Sequence, residues 1–328
     1  MGEKLLEIKD YSVRFTTDKV ISRAVNHVDL SLEKGEVLGL VGETGAGKTT
    51  TALSVMGLLP KYAVETEGEI FFHGEKLTGM KEKQYRNIRG KHISMIFQDP
   101  MTSLNPVFRV GDQIADVIKI HNPKMGQHEV NEKVDEILTM VGIAPERKLE
   151  YPHQFSGGMK QRVMIAIAIA CNPELLIADE PTTALDVTIQ AQVIKMMRNL
   201  QKELGSSVIL ITHDLGIVAN FCDKVAIMYA GEIVESGTLE DIFDKSRSHH
   251  PYTEGLFASL PNITEKTDRL VPIKGLTPHP SELPEGCKFH PRCPKCTEIC
   301  TKGENPRRCR KGSHMVQCHL FEEGKGYE

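Results

Sequence analysis

The chain has no tryptophan, and aromatic residues make up only 5% of it. So small a stock argues against the stacking surfaces that read single-stranded nucleic acid. Charge of one sign is lacking too. The formal net charge of 328 residues is −4, so nothing in the bulk electrostatics calls for a polyanionic partner, and no nucleic acid is expected. Long apolar runs are absent: the longest, Val163 to Cys171, is about half of what a bilayer span requires. The opening Met1-Gly2-Glu3-Lys4-Leu5-Leu6-Glu7-Ile8 has no apolar centre of the kind a secretory signal carries. Together these absences predict a soluble cytoplasmic chain, tied to any membrane only through a partner. Cysteine is scarce before residue 287, where Cys171 and Cys222 sit in apolar contexts and read as ordinary buried thiols. The length predicts two domains, or one with an appendage, and the 40% of apolar residues is enough for a proper core.

What is present is organised around Gly42-Glu43-Thr44-Gly45-Ala46-Gly47-Lys48-Thr49. The pattern G-x-x-x-x-G-K-[S/T] gains meaning from its flanks. Val37 to Val41 reads as a buried strand and Thr50 to Met56 as the start of a helix. Glycines there let the backbone approach and point successive N–H groups at phosphate oxygens, beside the positive end of the helix. Lys48 would neutralise the β- and γ-phosphates, and the Thr49 hydroxyl would hold Mg²⁺. The stretch predicts a nucleoside-triphosphate site.

Around it, Leu5–Phe15 and Ala24–Leu32 read as strands joined by a turn at 16–19. Gly68–Gly74 and Ile93–Gln98 read as further strands. From Asn105 to Leu149 the apolar spacing turns helical (Val134, Ile137, Leu138, Val141) and predicts an inserted helical subdomain. Leu175–Asp179 and Val208–Thr212 read as buried strands around an amphipathic helix, Val187–Leu204, and Lys224–Glu235 as a hairpin turning at Ala230-Gly231. Alternation of this kind predicts a mostly parallel sheet. After about residue 250 the prolines thicken, and a separate module with no long regular sheet is expected.

Four more stretches fall where a nucleotide hydrolase needs them. Asp179-Glu180 ends a buried strand: Asp179 would serve Mg²⁺ and Glu180 the attacking water, although a carboxylate pair before Pro181 also suits a helix cap. Gln98 and His213 each end a strand, Gln98 within reach of metal and water, His213 of the γ-phosphate; alone, either residue is more often structural. Ser156-Gly157-Gly158, after Phe155, opens a helix and makes a second anion site of a hydroxyl and bare N–H groups.

With this set the chain resembles the nucleotide-binding subunits of ABC transporters. In that resemblance 42–49 is Walker A, Gln98 the Q-loop, Ser156–Gln161 the signature, 175–180 Walker B, Ala184-Leu185-Asp186 the D-loop and His213 the switch. It implies an α/β P-loop ABC-type nucleotide-binding domain over about 1–250: a parallel core sheet, an antiparallel β-subdomain and a helical insert at about 100–165. A small Pro/Cys-rich module occupies 251–328. It also implies that Phe15 stacks on adenine, with Tyr11 nearby as a rival. ATP would be bound by 42–49 with Thr50 and by the partner's Ser156, Gly157, Gly158, Gln161 and Asp186, and Mg²⁺ by Thr49, Gln98 and Asp179, while Glu180, Gln98 and His213 carry hydrolysis. The implied partners are a homologous ATPase subunit (identical or not), two transmembrane permease subunits and, indirectly, an extracytoplasmic substrate-binding protein. The implied location is the inner face of the cell membrane.

The stretch Gln98 to Pro106 narrows the resemblance to the oligopeptide/dipeptide importer ATPases, as does the tail pattern running from Pro284 through Cys287, Pro291-Arg292-Cys293-Pro294 and Cys300 to His314 and Cys318. Nickel and glutathione importers are relatives. The family pattern singles out Cys287, Cys293, Cys300 and Cys318 and implies a [4Fe–4S] cluster. Four thiolates also suit Zn²⁺, the alternative, and Cys293-Pro294-Lys295-Cys296 is a C-x-x-C pair that a zinc site would favour. A cassette that works on ribosomes or nucleic acid would be expected to bring a second cassette, a heptad run or a basic arm; none is read here. A non-hydrolysing regulatory subunit would not need Glu180 and His213.

Overall fold

The computed structural model describes residues 2–17, 20–98, 103–183, 185–259 and 272–324. Asp18 and Lys19 of the expected turn, Asp99 to Thr102 of the Q-loop stretch, Ala184 of the D-loop and Pro261 lie outside the described residues.

Two long antiparallel strands open the chain, β1 (Lys4–Thr17) and β2 (Val20–Glu33), with Phe15 opposite Ser22. The fully buried β3 (Val37–Val41) runs through the glycine loop into α1 (Lys48–Val55). Next come β4 (Ala63–Phe72), the two-residue β5 (Glu75–Lys76), α2 (Glu82–Ile88) and β6 (Ile93–Ile96). The expected helical stretch holds α3 (Val110–His121), α4 (Gln127–Met140) and 3₁₀ turns at Pro145–Leu149 and Pro152–Gln154. Then follow α5 (Gly157–Ile169), β7 (Leu175–Asp179), α6 (Val187–Leu204), β8 (Ser207–Thr212), α7 (Leu215–Phe221), β9 (Lys224–Tyr229) and β10 (Glu232–Thr238). The tail region brings α8 (Leu239–Phe243), α9 (Pro251–Ala258), α10 (Glu298–Thr301) and a hairpin of β11 (Arg308–Lys311) and β12 (His314–Gln317).

The strands make two sheets. The smaller, antiparallel throughout, has the order β2-β1-β4-β5; the larger has the order β11-β12-β10-β9-β3-β8-β7-β6. In the larger sheet β6, β7, β8, β3 and β9 are parallel. Successive side chains of a strand face opposite sides, and both sides of this sheet are covered. Leu38 and Leu40 of β3 join the core against the antiparallel sheet, while Val37 and Val41 join the core under the helices. Burial on both faces explains why these strands read as unbroken apolar runs.

Register decides where the chemistry sits. Val41 pairs with Thr212, Asp179 with Ile211 and Ile96 with Ala178. The carboxyl ends of β3, β6, β7 and β8 therefore lie along one edge, the usual binding edge of an open parallel sheet.

The tail departs from the expected separation at residue 250. Its strand β12 pairs with β10, Glu235 opposite Val316 and Ser236 opposite Met315, so the main sheet continues into the tail. A buried knot reinforces the junction. One oxygen of the fully buried Glu235 carboxylate bonds His249 Nδ1 and His314 Nε2, both at 2.7 Å, and the other accepts from the His250 N–H and the Thr253 hydroxyl. The tail strands are short, four residues each, and the prolines do not keep the tail off the cassette sheet, because β12 itself contains none.

Candidate nucleotide site and cysteine module

The glycine loop is shaped by close approach. Gly42 faces the Met228 carbonyl so closely that a Cβ would stand 2.2 Å from its oxygen. Gly47, at φ 105°, opens α1 in a conformation that side chains rarely adopt. Lys48 is 5% exposed and its ammonium donates to the Gly42 and Glu43 carbonyls at 2.6 and 2.9 Å. Burial lowers its pKa, opposed by the charges of Glu180, Asp179 and Glu43. Asp179 is 2% exposed; burial raises its pKa, the Thr49 hydroxyl that it accepts from opposes the rise, and Glu180 adds to it. A buried carboxylate beside a hydroxyl, next to a second carboxylate, is an oxygen donor set that suits a hard divalent cation, so Thr49 and Asp179 fit Mg²⁺.

Glu180 gathers the rest. Gln98 Nε2 donates to Oε2 at 2.9 Å, Thr183 Oγ1 to the same oxygen at 3.0 Å, and His213 Nδ1 lies 3.4 Å from Oε1. Burial raises the Glu180 pKa, but hydrogen bonds from Thr183 and His213 outweigh it, so the net shift is downward and the group stays a carboxylate. Glu180 itself is held at φ 45°. The helix-cap alternative for Asp179-Glu180 does not hold: the side chain that caps α6 is Asp186, which accepts from the Ile189 N–H at 2.9 Å.

Ser156 is exposed at the head of α5 with its hydroxyl unused for capping, and Gly157 beside it is exposed. A Cβ on Gly158 would meet Ile189 Cγ2 at 2.5 Å, which ties the second glycine to α6. Gln161 differs from the sequence expectation: it is 2% exposed and its Nε2 has no hydrogen-bond partner. The helical period turns it inward, away from the face that Ser156 and Gly157 present. Phe15 is half-buried with its ring 5.7 Å from that of Tyr62, while its rival Tyr11 is fully buried in the core.

Glu43 is engaged differently from the rest of the loop. Its N–H donates to the Tyr252 hydroxyl at 3.0 Å, and its carboxylate accepts from Arg292 at 2.7 and 3.0 Å and from the Thr277 hydroxyl. Thr183, Tyr252 and Thr277 were not picked out by the sequence reading. Arg292 was visible only as part of the tail pattern.

In the tail, all six cysteines are free thiols. Cys300 and Cys318 are buried, Cys287 and Cys293 half-buried. Burial raises Cys287 to about 11 and Cys318 to about 12, and the charges of neighbouring cysteines push the same way: Cys300 and Cys293 on Cys287, and Cys287, Cys293 and Cys300 on Cys318. The four sulfurs are thus near enough to feel one another's charge. Three of them accept a backbone N–H from two residues on, Cys287 from Phe289, Cys293 from Lys295 and Cys318 from Leu320. Such donors stabilise a metal-bound thiolate.

Comparison with known proteins agrees with this geometry. The ABC transporter family model matches residues 25–183, and that of the oligopeptide/dipeptide transporter C-terminal region matches 234–300. The chain is 47% identical to the oligopeptide transport ATP-binding protein AppD of Bacillus subtilis, covering 97% of each chain. It is 50% identical to the dipeptide transport ATP-binding protein DppD of Lactococcus lactis, over 88% of this chain and 83% of that one. Among solved structures, the dimeric ATP-binding cassette MJ0796 in a post-hydrolysis state with ADP and Pi is similar at a TM-score of 0.65 and 26% identity, covering 72% of this chain and 99% of that one. With a parallel sheet edge that gathers Lys48, Asp179, Glu180 and His213, and relatives matched over nearly their whole length, the chain belongs to the ABC transporter ATP-binding proteins of the oligopeptide/dipeptide transporter family.

Proposed function

We propose that this chain binds and hydrolyses ATP to power import of di- or oligopeptides through a membrane permease. The observation that carries the reading is the convergence of Gln98, Thr183 and His213 on Glu180, next to Asp179 and Lys48. The relatives named for oligopeptide and dipeptide transport support the cargo class. Two cassettes, this chain with a homologous one, would enclose each ATP between 42–49 of one and Ser156-Gly157-Gly158 of the other.

The residues divide the work. Loop N–H groups and the start of α1 receive the phosphates, and Lys48 supplies a cation held close by its own loop. Thr49, Asp179 and the Gln98 amide oxygen would hold Mg²⁺, whose charge offsets that of the phosphates. Glu180, kept ionised, accepts a hydrogen bond from the attacking water, and His213 and Gln98 fix its orientation. Asp186 and Ser156 would meet a partner's nucleotide, and Phe15 with Tyr62 would offer the adenine an aromatic corner. Gln161, buried on α5 with its Nε2 unpartnered, would have to turn outward to meet a partner's nucleotide.

The permease surface is read on the helical stretch. Val107 is 72% and Phe108 53% exposed, beside a groove lined by Asp112, Asp116, Asn131 and Leu149. Apolar side chains left in water next to a polar groove suit a short helix from a membrane subunit. No helix among the described residues is long and apolar enough to cross a membrane, so attachment to the cytoplasmic face through that groove fits the reading.

For the tail, the family pattern over Cys287, Cys293, Cys300 and Cys318 supports a [4Fe–4S] cluster held by four thiolates, with one zinc ion as the alternative. When bound, the cluster would staple a segment poor in apolar residues.

The test is Glu180→Gln. The variant should bind ATP while phosphate release falls about 10²-fold or more, and it should accumulate as an ATP-dependent dimer on gel filtration. An unchanged hydrolysis rate would remove Glu180 from its role.

A further inference from the structure

We propose that Arg292, a tail residue, is a positioning residue for the phosphate loop, acting through Glu43, so that the cysteine module sets ATP affinity within its own subunit. The proposal rests on reading 42–49 as the ATP site and adds to it the element that holds the loop in shape. The two residues lie 249 positions apart, yet the guanidinium grips the carboxylate with two parallel bonds, Nη1–Oε2 at 2.7 Å and Nη2–Oε1 at 3.0 Å. The Arg292 side chain is only 6% exposed, so the pair is not a screened surface contact.

The pair does not stand alone. Thr277 donates to the same carboxylate, and Arg292 Nη1 also reaches the Thr277 and Tyr229 oxygens at 3.4 Å. The Glu43 N–H is taken by Tyr252, whose ring packs with Tyr229 and Phe289 at centroid distances of 4.7 and 5.5 Å. Burial raises the Glu43 pKa, but the Arg292 and Thr277 hydrogen bonds outweigh it and leave the group below its usual value. Side chain and N–H of the loop's second residue are thus committed to the tail, while its carbonyl accepts from Lys48 at 2.9 Å. Any shift of Glu43 is passed directly to the lysine that must meet the phosphates.

Arg292 is placed by the module's own fold. It ends the 3₁₀ turn His290–Arg292, immediately before Cys293, and Nε donates to the Lys274 carbonyl at 3.2 Å. An arrangement that only stabilised the tail would have no reason to end on the phosphate loop.

The experiment is a double-mutant cycle in the full chain with Arg292→Gln, Glu43→Gln and the pair together. The probe is a fluorescent ATP analogue with Mg²⁺, with the KM and kcat for ATP measured alongside. Each single variant should weaken nucleotide binding and raise KM about tenfold, the scale of one lost charge-assisted bond, with a smaller change in kcat. The double variant should be no worse than the singles, and Lys302→Ala, at the exposed Lys302–Glu298 ion pair of the tail, should leave binding unchanged. If Arg292→Gln disturbs folding, Glu43→Gln, which leaves the tail sequence intact, decides alone. Unchanged affinity in Glu43→Gln, or additive losses in the cycle, would overturn the positioning role. Failure of the unaltered protein to bind the analogue would instead overturn the ATP site itself.

Discussion

Gln98 and Glu180 are separated by 82 residues of chain and by 2.9 Å in space, with the Gln98 amide nitrogen donating to the carboxylate. That donation leaves the amide oxygen of Gln98 available to the proposed Mg²⁺, so one side chain would orient the base and the cation together. Replacing it should affect both. Gln98→Ala is expected to lower kcat about tenfold, as for one lost charge-assisted hydrogen bond, and to raise the Mg²⁺ concentration needed for half-maximal hydrolysis. A magnesium titration of the ATPase rate checks this; an unchanged midpoint would take Gln98 off the metal.

The Glu235 knot predicts a bounded pH window for stability. Burial would raise the Glu235 pKa, but hydrogen bonds from His249, His314 and Thr253 overcome it and bring it to about 2. The stabilisation from this depressed carboxyl is complete above its unfolded value of 4.5 and is lost as pH falls toward about 2. For His249 burial lowers the pKa, but the Glu235 pair outweighs it and the net shift is upward from 6.5. Its stabilisation is complete below 6.5 and is lost as pH rises through the raised value. The buried His250, brought down to about 4 by desolvation, contributes fully only above 6.5 and loses that contribution as pH falls toward 4, so the junction should be firmest near pH 6.5. Glu235→Gln should cost about 3–5 kcal/mol, as for a broken buried ion pair, and flatten the plot of Tm against pH.

Protein purified without oxygen should carry iron and matching sulfide, with visible absorption that is lost in Cys287→Ser or Cys318→Ser. Both belong to the proposed set of four thiolates, so losing either would remove a quarter of it. Zinc without sulfide would move the assignment to a zinc site.

Gly42→Ala is expected to be severe, although its backbone conformation is not restricted to glycine. The new Cβ would meet the Met228 backbone oxygen at 2.2 Å, and a backbone carbonyl inside a sheet cannot swing aside. A loss of about 1–3 kcal/mol is expected from overpacking, together with weaker ATP binding as the loop shifts. Thermal denaturation and nucleotide titration read the two effects separately.

Much of this was legible in the chain before folding. β3, β7 and α6 lie at the residues their patterns indicated, because a doubly buried strand and an amphipathic helix are local patterns of side-chain burial. Short helices such as α2 and α7, seven residues each, were missed: two turns carry too little periodicity to separate from a loop. The resemblance implies Gln161 as a nucleotide contact through its place in the signature stretch, but the turn of α5 carries its side chain inside.

By itself the sequence determined the parts: a glycine loop ending in Lys48-Thr49, a carboxylate pair after a buried strand, a Ser-Gly-Gly helix start and a cysteine-rich tail. Each rests on residues close in the chain, where the backbone conformation and spacing suffice. Tertiary structure alone decided what those parts touch. Strand register brought Gln98, Glu180 and His213 to one sheet edge, β12 joined the tail to β10, and Arg292 reached across 249 residues to Glu43. Contacts over such separations depend on packing of the whole core, and no local pattern encodes them.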